Sequence, residues 1–211
     1  MKNFFLNSII MLIFSAGSYP LPVSAQMPPE QPGIPVPFNP VFDTSFRKGL
    51  YKATMDIGKR HISGLVYIKK INDSTFRMLF NNEIGMKFFD LEISRLQFII
   101  HSCYPSLDRK ELMSILKYDL RMLFFLSRKV KMVKQEPTDS TDQDLYRIKS
   151  DLGTWRCFVT DEKNISRIES EGKMMRKTRI NLNKHPRENN RQIVIMNPAI
   201  GLTIRLKMIS N

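Results

Sequence analysis

Between residues 49 and 102 no interval separating one apolar run from the next exceeds five residues, and that rhythm restricts the fold more than any other feature. The runs are GLYKATMDI (49–57), HISGLVYIKKI (61–71), STFRMLF (74–80), MKFFDLEI (86–93) and LQFIIHS (96–102). They are rich in β-branched and aromatic residues and are separated by Gly58-Lys59-Arg60, Asn72-Asp73, Asn81 to Gly85 and Ser94-Arg95, all turn-forming stretches. A parallel return needs about a dozen residues, so connections this short join antiparallel neighbours. Within this meander, residues 64–93 are apolar on both strand faces. A half-exposed sheet alternates apolar with polar, so the second face calls for cover, either from the chain itself or from a ligand.

After Cys103 the period changes. Pro105 and Ser106 offer a strand stop and an N-cap, with Asp108 in the first turn. From 107 to 126 the positions Leu112, Ile115, Leu116, Leu120, Leu123 and Phe124 fall on one helical face, and Asp108, Lys110, Lys117 and Arg121 lie off it. This predicts one main helix, 107–126, covered nearly all round at its apolar end. Residues 127–144 read as a charged strand end or loop followed by a polar excursion. Strand patterns resume at 145–150, 154–160, 164–172, 175–183, 191–196 and 201–209. The last alternates most cleanly, with Leu202, Ile204, Leu206 and Met208 opposite Thr203, Arg205 and Lys207. The expected class is mainly β (α+β), with about eleven antiparallel strands and one main helix.

Residues 1–25, MKNFFLNSIIMLIFSAGSYPLPVSA, combine Lys2, an apolar run from Phe4 to Phe14, Pro20, Pro22 and the small residues Val23-Ser24-Ala25. That is the pattern of a cleaved secretory signal peptide; a membrane span needs about 20 apolar residues and this run is shorter. No cysteine precedes Cys103, so a lipid anchor at the cleavage site is not expected. Cleavage leaves 186 of the 211 residues, beginning near Gln26 in the periplasm. Residues 26–41, QMPPEQPGIPVPFNPV, hold six prolines and read as an extended arm, with a single domain at 42–211.

The formal net charge of +13 falls only to +12 when Lys2 is removed. Basicity of this size suits anionic partners such as a phospholipid surface or an envelope polymer, and export argues against nucleic acid. A generally basic soluble surface accounts for it equally well. Eight Lys and Arg from Arg167 to Arg191 face Glu169, Glu171 and Glu188. Such a stretch could dock on an anionic membrane at about 1 kcal/mol per basic residue near the surface, or be a solvated hairpin. Cys103 and Cys157 have one possible pairing in an oxidising compartment. It would close a loop of about 55 residues, for about 4 kcal/mol in the chain-entropy model; two buried free thiols are the alternative.

No catalytic constellation stands out. His61, His101 and His185 sit in unrelated contexts without metal-ligand spacing, and Ser63-Gly64 and Gly153-Thr154 lack a nucleophile-elbow setting. Asp90 and Glu92 share one strand face, as a carboxylate pair or as structural ion pairs with the abundant bases. In YRIKSDLGTWRCF (146–158), aromatic and basic residues interleave, as in a stacking platform or, more simply, a strand with rings inward and arginines outward. No enzyme, metal or cofactor is expected. The apolar supply is generous: fourteen Phe and thirteen Met. Phe76, Met78 and Phe80 share a face, and Phe88 and Phe89 are expected on opposite ones. Such residues line adaptable cavities or fill ordinary cores.

Taken together, the meander, the helix and the closing pair RQIVIMNPAIGLTIRLKMI, with GLVYIKKINDSTFRMLFNNEIGMKFFDLEI before it, resemble the LolA/LolB-like lipoprotein carriers of Gram-negative envelopes. The resemblance implies an incomplete antiparallel β-barrel wrapping its helix, and an apolar hollow that takes a lipid or acylated ligand. Tyr67, Phe76, Met78, Phe80, Phe88, Phe98, Leu120 and Phe124 are the residues expected to line it. The carriers have more than one lid helix, whereas only 107–126 is clearly helical here. The alternative is an envelope scaffold with a self-filled core, engaging a protein through its basic face or proline-rich arm.

Overall fold

The sheet grows outward from its middle. The computed structural model describes residues 36–138, 142–172, 177–184 and 191–210; the expected signal peptide and the first part of the arm lie outside them. Strands β1 (Lys48–Ile57), β2 (Arg60–Asn72), β3 (Thr75–Asn81), β4 (Lys87–Ser94) and β5 (Phe98–Cys103) follow one another to one edge. Helix α1 (Lys110–Leu123) then carries the chain across to the opposite edge, β6 (Val130–Glu136). From there β7 (Gln143–Ser150), β8 (Gly153–Thr160), β9 (Ile165–Ser170), β10 (Arg179–Lys184), β11 (Arg191–Asn197) and β12 (Leu202–Ser210) return to the centre, where β12 pairs with β1. The twelve strands among the described residues form one antiparallel sheet in the order β5-β4-β3-β2-β1-β12-β11-β10-β9-β8-β7-β6. It remains open, because β5 and β6 do not pair. This is the expected incomplete barrel around one main helix.

β6 falls in the stretch whose sequence reads as a charged strand end or loop. Its sequence VKMVKQE places lysines on an edge, and charged edges discourage pairing with other chains. The same charges blur the apolar alternation by which a strand is recognised. Elsewhere alternation and burial agree: β3 shows Phe76, Met78 and Phe80 buried between half-exposed Thr75, Arg77, Leu79 and Asn81. Gly64 in β2 is required by close approach. A Cβ there would lie 2.0 Å from the carbonyl oxygen of Asn81.

The helix is shorter than expected. Residues 104–108 form a turn closed by Leu107 N–H and Asp108 N–H donating to Tyr104 O, and Arg109 is the N-cap without a side-chain bond. At the other end Phe124 N–H, Phe125 N–H and Leu126 N–H donate to Leu120 O, Met122 O and Arg121 O. Phe125 takes a left-handed φ of 55° there, a position where glycine is usual. The conformation places its ring 5.1 Å from Trp155 and 5.9 Å from Phe38, so apolar packing offsets the backbone cost. Leu112, Ile115, Leu116, Leu120, Leu123 and Phe124 are buried, as their spacing demands.

Candidate functional site

The space between α1 and the β2–β4 part of the sheet is walled in registered rows. Ile68, Met78, Leu91 and Ile100 stand opposite one another on successive strands, as do Val66, Phe80, Phe89 and Cys103. Strand parity carries Phe76 and Ile93 to the same inner face. Helix residues Leu120 and Phe124 meet this wall, with Phe124 stacked on Phe76 at 4.4 Å between centroids. Of the eight expected lining residues, Phe76, Met78, Phe80, Phe88, Leu120 and Phe124 are buried in one continuous core, and Phe98 packs against it partly buried.

Tyr67 is the exception. Its neighbours Val66 and Ile68 point inward, so Tyr67 stands on the outer face, exposed, between Leu50 and Leu79 on the adjoining strands. Phe88 and Phe89 do not point to opposite faces as expected. A bulge between Phe80 and Asn81 and their partners leaves both rings buried, with centroids 5.0 and 6.2 Å from Phe80. The disulfide is absent: Cys103 and Cys157 are free thiols. They lie on β5 and β8, with eight strands between them in the sheet order (β4, β3, β2, β1, β12, β11, β10 and β9). Desolvation pushes the Cys103 thiol up to about 11 and raises that of Cys157 further.

Part of the interior is filled by a segment assigned to the arm. The expected boundary at Phe42 falls later than the packing does, because Phe38 and Val41 are already buried with Phe42 and Phe46. The Phe42 ring lies 4.7 Å from Phe46, 5.0 Å from Phe124 and 6.0 Å from Phe76. Phe38 lies 5.3 Å from Tyr146. The backbone of this segment joins the sheet at an isolated bridge, where Asn39 N–H donates to Lys163 O at 2.8 Å. The signal was present in the sequence as aromatic and aliphatic residues set among prolines, but a proline-rich stretch reads first as an extended tether.

Two charged groups on α1 were also missed as interior features. Asp119 is fully buried and accepts a 2.6 Å bond from Thr178 Oγ1, to which Asn197 Nδ2 also donates at 3.1 Å. Burial raises its pKa to about 7 against the opposing effect of the Thr178 bond. Arg121, expected off the apolar face, is buried and donates from Nε to Ser94 O at 3.0 Å. Both sit in the YDLRMLFF run, where apolar neighbours on all sides are the clue.

The outer face resolves the remaining alternatives toward structure. Asp90 receives Arg77 Nε at 2.8 Å and Nη2 at 3.1 Å, with Lys87 Nζ at 3.3 Å, while Glu92 pairs with His101 at 3.0 Å. Asp90 is thus an ion-pair partner, held below its usual pKa chiefly by Arg77. Tyr146, Trp155 and Cys157 turn inward, and Arg147 and Arg156 turn outward to Glu171 and Glu169. Arg167 and Arg179 also reach Glu169, at 3.4 and 2.9 Å, so part of the basic stretch is neutralised within the sheet. Residues 173–176 and 185–190 of that stretch lie outside the described residues.

No family model matches the chain, and no curated protein matches it. Solved structures do show fold-level likeness. A DUF1329 family protein from Desulfovibrio piger is 9% identical with a TM-score of 0.44, over 79% of this chain and 85% of that one. A LolA superfamily protein from Nitrosomonas europaea is 8% identical with a TM-score of 0.48, over 77% and 83%. An outer membrane lipoprotein-sorting protein domain from Vibrio parahaemolyticus is 7% identical with a TM-score of 0.42, over 77% and 83%.

Proposed function

We propose that this chain is a secreted, non-enzymatic periplasmic protein that holds a lipid or acylated ligand between its sheet and α1. The supporting observation is the source of the interior filling. Phe42 and Phe46, which close the space beside Phe76 and Phe124, come from an irregular segment and not from the sheet. Re-exposing a buried phenylalanine costs about 1.5–3 kcal/mol. An acyl chain gains about 0.8 kcal/mol per buried methylene. Displacing both rings is therefore offset by about four to eight methylenes, fewer than an ordinary fatty acyl chain carries. The signal-like leader and the basic charge accord with an envelope location and an anionic surface as a further partner.

The test is direct. Lipid extraction and mass spectrometry of purified protein should recover a bound acylated species, and an acyl-chain fluorophore should be quenched saturably. Neither result is compatible with a permanently closed interior.

One observation favours a second reading. The expected lining side chains already contact one another, down to the Phe76–Phe124 stack, as a self-filled envelope scaffold requires. Stoichiometric capture of an envelope protein, with no lipid and no fluorophore response, would select that alternative.

A further inference from the structure

A cavity of about 280 Å³ lies between α1 and the β7–β8 turn. Ser114, Lys117, Tyr118 and Arg121 line it from the helix beside the core residue Ile115, and Asp151 and Leu152 from the β7–β8 turn. The spacing i, i+3, i+4, i+7 stacks the four helical residues on one face. Two of them carry positive charge and two carry hydroxyls.

Arg121 makes this cavity more than a surface depression. Its residue exposure is 8%, and its Nε is committed to Ser94 O. Its Nη2 is enclosed and has no acceptor among the described residues. A buried guanidinium N–H without an acceptor carries the full desolvation cost of the group, and a charge-assisted bond is the strongest way to remove it. Asp151, the carboxylate across the cavity, acts on Arg121 through its charge alone; its hydrogen bonds are accepted from Ser127 Oγ, from Lys129 N–H at 3.1 Å and from Arg128 Nε at 3.3 Å. Arg121 and Lys117 thus stand against one carboxylate in the lining, leaving the site net positive.

We propose that this cavity binds a phosphate-type anion, with Arg121 and Lys117 as its charged ligands and the Ser114 and Tyr118 hydroxyls beside them. The chemistry is shared by inorganic phosphate and by an anionic phospholipid headgroup. The site does not depend on acyl-chain binding in the interior, so either proposal can fail alone.

Titration of the full chain with sodium phosphate at constant ionic strength, followed by thermal shift and ³¹P line-broadening, is the first arm. Saturable binding that sodium chloride does not reproduce is expected, weakened about tenfold by Lys117→Ala, which removes an exposed charge. Arg121→Gln should abolish it; if that variant fails to fold, Ser114→Ala with Lys117→Ala still tests the site. The second arm is flotation with phosphatidylglycerol vesicles against phosphatidylcholine vesicles. Flotation lost in Lys117→Ala assigns a headgroup ligand, and a phosphate response without flotation assigns the free anion. If neither probe gives a response sensitive to Lys117→Ala, the proposal is overturned.

Discussion

The ring of Phe124 lies flat on that of Phe76, with 4.4 Å between centroids and 4° between planes. One ring belongs to the helix terminus and the other to the start of β3, so this stack is where α1 is seated on the sheet. Truncating a buried phenylalanine costs about 3–5 kcal/mol. Phe124→Ala should lower the urea midpoint accordingly. In a double-mutant cycle with Phe76→Ala, a coupling of about 0.5–1.5 kcal/mol is expected from ring geometry beyond area burial; strict additivity would show that the two rings do not support each other.

The Phe42 ring abuts both members of that stack, at 6.0 Å from Phe76 and 5.0 Å from Phe124. If it occupies ligand space, Phe42→Ala destabilises the free protein yet tightens binding of an acyl fluorophore, by about tenfold for each 1.4 kcal/mol of displacement cost removed. Weaker or unchanged affinity would place the ligand elsewhere.

Asp119 gives stability an unusual pH slope. Its carboxyl titrates near 7 in the fold against an ordinary value of 3.8. Between these limits the folded chain retains a proton that the unfolded chain releases, so stability falls as pH rises through the window, by up to about 1.4 kcal/mol per unit. Below about pH 4 the penalty is absent, and above pH 7 it is complete. Urea midpoints at pH 5 and pH 8 should converge in Asp119→Asn relative to the parent. A parent whose midpoint rises across that interval contradicts the burial argument.

With both thiols reduced, the fold owes nothing to a disulfide. Reducing agent should leave the melting temperature unchanged. In native protein a thiol reagent should reach the partly buried Cys103 slowly, and Cys157, which is fully buried, only on unfolding.

Gly64 faces the backbone at Asn81 and Asn82, where an added Cβ would meet atoms at 2.0 and 2.9 Å. Backbone cannot give way as a flexible side chain does. Gly64→Ala should therefore cost about 1–3 kcal/mol or more, read as a lower melting temperature. A neutral substitution would mean that the β2–β3 register shifts freely.

Tyr67 illustrates how far periodicity reaches. Alternation in β2 shows that Leu65 and Tyr67 share one face while Val66 and Ile68 share the other, and that grouping is what the structure contains. Both sets are apolar, so alternation alone does not say which faces the helix. The choice rests on the partners of β2, with Ile68 aligned to inner Met78 and Tyr67 to outer Leu79. The expected opposite facing of Phe88 and Phe89 fails for a related reason: one bulged residue reverses parity, and bulges leave no periodic trace.

The sequence by itself determined the strand meanders, their antiparallel sense and the single helix with its apolar stripe. These follow from local turn chemistry and side-chain period, which act over a few residues. Only the tertiary structure decided that β1 closes on β12, that Phe42 and Phe46 enter the interior, that Cys103 and Cys157 stay apart, and that Asp119 and Arg121 are buried. Each of those depends on segments distant in the chain competing for the same space, a contest settled by packing and desolvation and not by any local pattern.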